Sequence, residues 1–137
     1  MNLLSDSKYF SAALGHLTTD FISGQRYVLL TYMVALMGLS NTTLGIISML
    51  FMLLGSLSQP LFGLVSDRYG PRWVIFGGLV WLGSFYSLGL LVSGTLGLFL
   101  FVLSSIGSGA FHPAGTMVAT ERGGIVTTGK ETTSTAV

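Results

Sequence analysis

The chain has 137 residues, of which 50% are hydrophobic and only 8% charged, and its net charge is +1. An ordinary soluble domain is roughly a quarter charged, so water is not the solvent of most of this surface and a freely soluble fold is excluded. The near-neutral balance leaves no electrostatic footprint for nucleic acid and no Lys/Arg cluster for anionic lipid, while the lack of cysteine excludes disulfides, thiolate catalysis and Cys-based metal sites.

A bilayer core about 30 Å thick takes roughly 20 apolar residues per helix. About four stretches meet that requirement, at residues 9–37, 42–65, 73–93 and 96–119, following a short N-terminus over 1–8. The sequence predicts an all-α membrane protein whose transmembrane segment, 9–120, runs up, down, up and down, because each connection is too brief to recross the bilayer. Lys8, Arg68, Arg72 and Arg122 fall on one side, whereas the turns near Gly38–Thr43 and Ser93–Thr95 carry no charge. The positive-inside rule then makes both ends cytoplasmic in a cell inner (plasma) membrane. Asp6, Asp20 and Arg26 interrupt any signal-peptide pattern, so the first helix is expected to be retained.

Ionisable side chains within a bilayer are costly, about 2.5–3.5 kcal/mol each on insertion scales, and are functional candidates by default. Helix one holds three, His16, Asp20 and Arg26. His16 and Asp20 are four residues apart, one turn along the same face, where they can share a proton or a hydrogen bond. From a start near Tyr9, Asp20 lies roughly 16 Å deep, near the midplane where secondary transporters place substrate and coupling-ion sites. Arg26 is rotated by about 120° from Asp20, so the two do not meet unless Gly24 breaks the helix. A substrate or counter-ion role and a structural pairing stand evenly for Arg26.

Helix two contains Gln59-Pro60, a predicted bend with a polar side chain suited either to lining a cavity or to an interhelical hydrogen bond. After it, Gly63-Leu-Val-Ser-Asp67-Arg68-Tyr-Gly70-Pro-Arg72-Trp73 gathers nearly every charge of the middle of the chain into a predicted hinge. As a bare pattern this is a topology anchor; its arginines orient the protein and pair with acids elsewhere. Small-residue pairs in helices three and four, Gly83 with Ser87, Ser104 with Ser108 and Ser105 with Gly109, suit close helix packing or self-association. His112 precedes Pro113, so the fourth helix is predicted to kink beside a group that titrates near neutral pH. A proton path and a plain interhelical hydrogen bond are balanced readings of it. The tail over 121–137 is threonine-biased without an apolar period, which predicts disorder or a shifted reading frame.

Together these features resemble the start of a major facilitator superfamily transporter. Gly63, Asp67, Arg68, Gly70 and Arg72 match that superfamily's loop signature Gly-x-x-x-Asp-Arg-x-Gly-x-Arg. Gly15-His16 with Asp20, Gln59-Pro60, and Gly107-x-Gly-Ala-Phe-His112-Pro113 resemble, more narrowly, the fosmidomycin-resistance branch of drug efflux transporters. The resemblance implies a proton-driven exporter of small organic compounds, with four helices corresponding to the first part of a twelve-helix bundle. It implies further that helices one and four line the cavity and that Asp67, Arg68 and Arg72 gate it. Leu103 stands where many superfamily exporters carry a helix-four arginine, so coupling by that residue does not carry over.

Two readings follow. One is a truncated efflux transporter, inactive alone, whose full-length form takes a small organic substrate and protons. The other is a small four-helix protein that works as an oligomer or helper subunit. An enzyme is not expected, since no nucleophile triad or phosphate loop occurs, and no cofactor is called for. Nor is a metal expected: His16, Asp20 and His112 would form a three-ligand site only if helices one and four brought them to one depth.

Overall fold

The computed structural model describes residues 7–134, with side chains described as far as Glu121. It is helical throughout: α1 (Ser7–Gly24), α2 (Arg26–Leu36), α3 (Asn41–Tyr69), α4 (Pro71–Leu91), α5 (Gly94–Leu103) and α6 (Ser105–Ser134). Three stretches, Asn41–Tyr69, Pro71–Leu91 and Gly94–Glu121, are long and apolar enough to cross a membrane. The stretch expected as the first span forms α1 and α2, divided at Gln25 immediately after Gly24, where the sequence allowed a break.

Local chemistry sets the element ends. Ser40 caps α3, its hydroxyl accepting from the Thr43 N–H at 3.2 Å. At the other end Gly70 takes φ +87°, outside the range of ordinary L residues, and donates its N–H to the Ser66 carbonyl at 2.8 Å. Pro71 then opens α4 at a position where a missing N–H costs nothing. The predicted charged hinge is therefore a single residue, Gly70. Asp67 and Arg68 belong to the last turn of α3, and Arg72 to the first turn of α4.

Neither internal proline ends a helix, since α3 continues through Pro60 and α6 through Pro113. The fourth span is interrupted earlier, at Ser104. There the Ser104 hydroxyl donates to the Phe101 carbonyl at 2.6 Å and the Ser105 hydroxyl to the Val102 carbonyl at 2.8 Å. Such back-bonding draws carbonyls from the helical ladder and bends helices. The Leu103 carbonyl at the break accepts from the Trp81 indole N–H at 2.9 Å, so the interruption leaves it paired inside the apolar layer. The helix runs on to Ser134, although the composition after Glu121 suggested an irregular tail. No proline follows Pro113 to stop it, and propagating a formed helix needs only one further hydrogen bond per residue.

The fourth span is the centre of the bundle, with α6 lying against α1, α3 and α4 and α5 against α4. Its inner face reads Phe101, Ser104, Ser105, Ser108, Phe111 and Ala114, all buried. One apolar cluster joins Leu30 and Val34 of α2 to Phe51, Leu98 and Phe101; another joins Val74 to Ala110 and Ala114. Between lipid-like surfaces such contacts rest on close backbone approach more than on the hydrophobic effect. Gly78 and Gly107 show it best: a Cβ on Gly107 would sit 2.5 Å from the Gly78 carbonyl oxygen and 2.5 Å from the Leu82 nitrogen. Of the small-residue pairs expected to pack, Ser104, Ser105 and Ser108 are buried, whereas Gly83 faces open space.

Candidate functional site

The break after Gly24 and the inward face of α6 together shape a cavity of about 330 Å³ between the first, second and fourth spans. Asp20, Arg26, Gln59 and His112, all candidates from sequence, line it. So do Ser23, Tyr27, Ser56, Ser105 and Ser108.

His16, Asp20 and His112 converge. His16 Nε2 lies 3.3 Å from Asp20 Oδ2, the pairing expected of residues one turn apart. His112 Nε2 reaches the other carboxylate oxygen, Oδ1, at 3.9 Å from across the helix interface. The two imidazoles stand edge to face with centroids 5.1 Å apart, and His16 also meets the Phe111 ring edge to face at 5.9 Å. Helices one and four thus bring all three groups to one depth. Asp20 remains about half exposed, with 55% of its side chain open, and His112 is 29% exposed.

Arg26 stands apart from that group. It begins α2, donates to the Tyr27 hydroxyl, and carries its guanidinium 5.1 Å from the centre of the Phe51 ring. No carboxylate lies within ion-pair distance of it among the described residues. The helix break does not bring Arg26 to Asp20; it turns the arginine toward the cavity wall, where an aromatic face partly replaces a counter-ion.

The signature residues lie at one end of the bundle. Gly63 faces Pro113 of α6, while Asp67, Arg68 and Arg72 are exposed, the two arginines over the rings of Tyr69 and Trp73. Nearby, Lys8, Arg72 and Glu121 line a common groove, so the start of the first span and the end of the fourth share a side.

The serines of the cavity were missed in the sequence although a periodic signal was there. Ser23 follows Asp20 by three residues, Ser56 precedes Gln59 by three, and Ser108 precedes His112 by four, spacings that place each on the face of a recognised polar residue. Ser23 and Ser108 meet across the helix interface, hydroxyl to hydroxyl at 3.3 Å.

No curated protein and no solved structure matches the chain at a significant level. The family model described as Major Facilitator Superfamily matches residues 10–122, which takes in all four spans, the cavity and the signature. The chain is a multi-pass membrane protein of the transporter class and belongs to the Major Facilitator Superfamily.

Proposed function

We propose that this chain forms the first part of a proton-driven exporter of small organic compounds, of the kind found in the fosmidomycin-resistance branch. The observation that carries the reading is the convergence of His16, Asp20 and His112 beside a cavity that Arg26 and Gln59 also line. A carboxylate beside two imidazoles at the edge of a cavity, which the sequence expects near the midplane, is suited to exchanging a proton with that cavity. Export against a gradient then follows if proton and substrate occupy the cavity in turn as two halves of a bundle rock about it. Walls that set Phe51 and Met52 beside serines, Gln59 and a few charged groups suit an amphipathic organic substrate.

In this reading the chain supplies one wall of the cavity. Half-exposed His16 and Asp20 would face a second set of helices in the complete bundle, and without it they face lipid or each other. The 137-residue product expressed alone in a drug-susceptible cell is therefore expected to give no efflux above the vector control. Measurable drug or dye efflux from such cells would overturn the proposal. Efflux by a defined detergent-stable oligomer would favour a four-helix assembly instead.

The ends of the first and fourth spans would lie in the cytoplasm beneath an inner membrane, with the arginines of the signature on that side. Asp67, Arg68 and Arg72 would hold the inward-closed state by meeting the second half of the transporter. Arg72→Ala in a full-length transporter carrying this segment is expected to slow the conformational cycle roughly tenfold, the loss of about 1.4 kcal/mol, with substrate affinity little changed. Stopped-flow fluorescence alongside equilibrium binding separates these effects, and lost binding with normal switching would contradict the gating role.

A further inference from the structure

We propose that His16, Asp20 and His112 form a binding site for a divalent transition-metal ion of the zinc type, open toward the cavity. The inference goes beyond the transport reading and does not depend on it. One ligand atom from each residue can be chosen so that all three lie within 4.8 Å of one another. Around a tetrahedral zinc ion with ligand bonds of about 2.0–2.1 Å, neighbouring donors are roughly 3.3 Å apart. The His16–Asp20 separation is already 3.3 Å, and the His112–Asp20 separation of 3.9 Å exceeds that edge slightly. The two approaches use different carboxylate oxygens, and with one donor atom per residue the set spans up to 4.8 Å, so rotations of the carboxylate and of the imidazoles together must draw the donors in to reach the roughly 3.3 Å edge.

The donor chemistry narrows the ion. Two imidazole nitrogens and one carboxylate oxygen suit zinc, cobalt(II) or nickel(II), whereas magnesium and calcium take oxygen ligands. Three protein ligands with the fourth position directed to an open cavity is the arrangement of an exchangeable site, where water or an oxygen of a bound molecule completes the shell. The His16 ring stands edge to face against both His112 and Phe111, which places the two imidazoles side by side at the carboxylate. Arg26, the nearby cation, is held over Phe51 and forms no ion pair with the aspartate, so the carboxylate is not already neutralised by it. The composition makes the site traceable, because the chain has no cysteine and just two histidines.

The test uses the full chain purified in detergent with a tag that contains no histidine. Cobalt(II) is added and its visible ligand-field absorption recorded, followed by one equivalent of zinc. The expected result is a cobalt spectrum of low coordination number that zinc abolishes, with affinity reduced at least about tenfold in His16→Ala and in His112→Ala. No cobalt spectrum, or one that survives both substitutions together, would overturn the site. Because a substituted chain can fail to fold, histidine acylation by diethyl pyrocarbonate is followed on the unaltered protein by mass spectrometry. Zinc is expected to protect His16 and His112 together, and equal labelling with and without zinc would overturn the proposal whatever the variants do. Neither readout involves transport, so a negative result here and a failure of the exporter reading are separately recognisable.

Discussion

Replacing Asp20 by Asn in a full-length transporter that carries this segment is expected to abolish proton-coupled export while leaving membrane insertion intact. Asp20 is the one carboxylate within the four spans; Asp67 and Glu121 stand at the ends of their apolar stretches. Asparagine matches its shape and keeps a polar oxygen beside His16 and His112, so the helix interface should survive. What is lost is a group whose charge changes with its proton. Efflux driven by a pH gradient in everted vesicles should fall on the order of a hundredfold, about 2.7 kcal/mol, while downhill exchange of substrate continues. Vesicles whose pH-driven efflux is unchanged by the substitution would remove Asp20 from the coupling pathway.

The second large effect is on stability. Gly107→Val should break the packing of α4 on α6, because the atoms met by the new side chain are backbone. They are the Gly78 carbonyl oxygen at 2.5 Å, the Leu82 nitrogen at 2.5 Å and the Leu82 Cα at 2.9 Å. No rotamer change relieves a clash with main chain, so the helices must separate along the contact. Overpacking of this kind costs typically 1–3 kcal/mol, and about 3 kcal/mol is expected where both partners are backbone. Gly83→Val is the matched control, since a Cβ there meets nothing within 4 Å and its effect should stay within about 0.5 kcal/mol. Unfolding of the two variants in mixed detergent makes the comparison; equal loss in both would mean that the α4–α6 contact is not what holds the bundle.

The spans were legible because the bilayer imposes a length and a composition that few other environments require. The pairing of Asp20 with His16 followed from helical geometry alone. The meeting with His112 did not, since no local pattern says which faces of the first and fourth spans turn toward each other. That choice is made by Gly15 seated against Phe111 and by Ser23 bonded to Ser108, contacts between residues far apart in the chain. The interruption at Ser104 and Ser105 was not legible either, because it comes from hydroxyls that take backbone carbonyls in an apolar layer where no water competes for them. The charged stretch was not legible as helix, because its polarity resembles a loop while α3 and α4 meet at Gly70 almost without a gap.

A joint made of Gly70 alone behaves differently from a flexible linker. Only two backbone torsions separate α3 from α4, and the glycine N–H is already committed to Ser66. Force applied at Arg72 would therefore pass into α4 and be felt along its contact with α6. With 21 residues α4 is a rod about 30 Å long, so a tilt of about 10° at its charged end would sweep the opposite end through about 5 Å. In the proposed gating role, a change in what Arg72 meets at one end of α4 would thus become a displacement of several ångströms at the other.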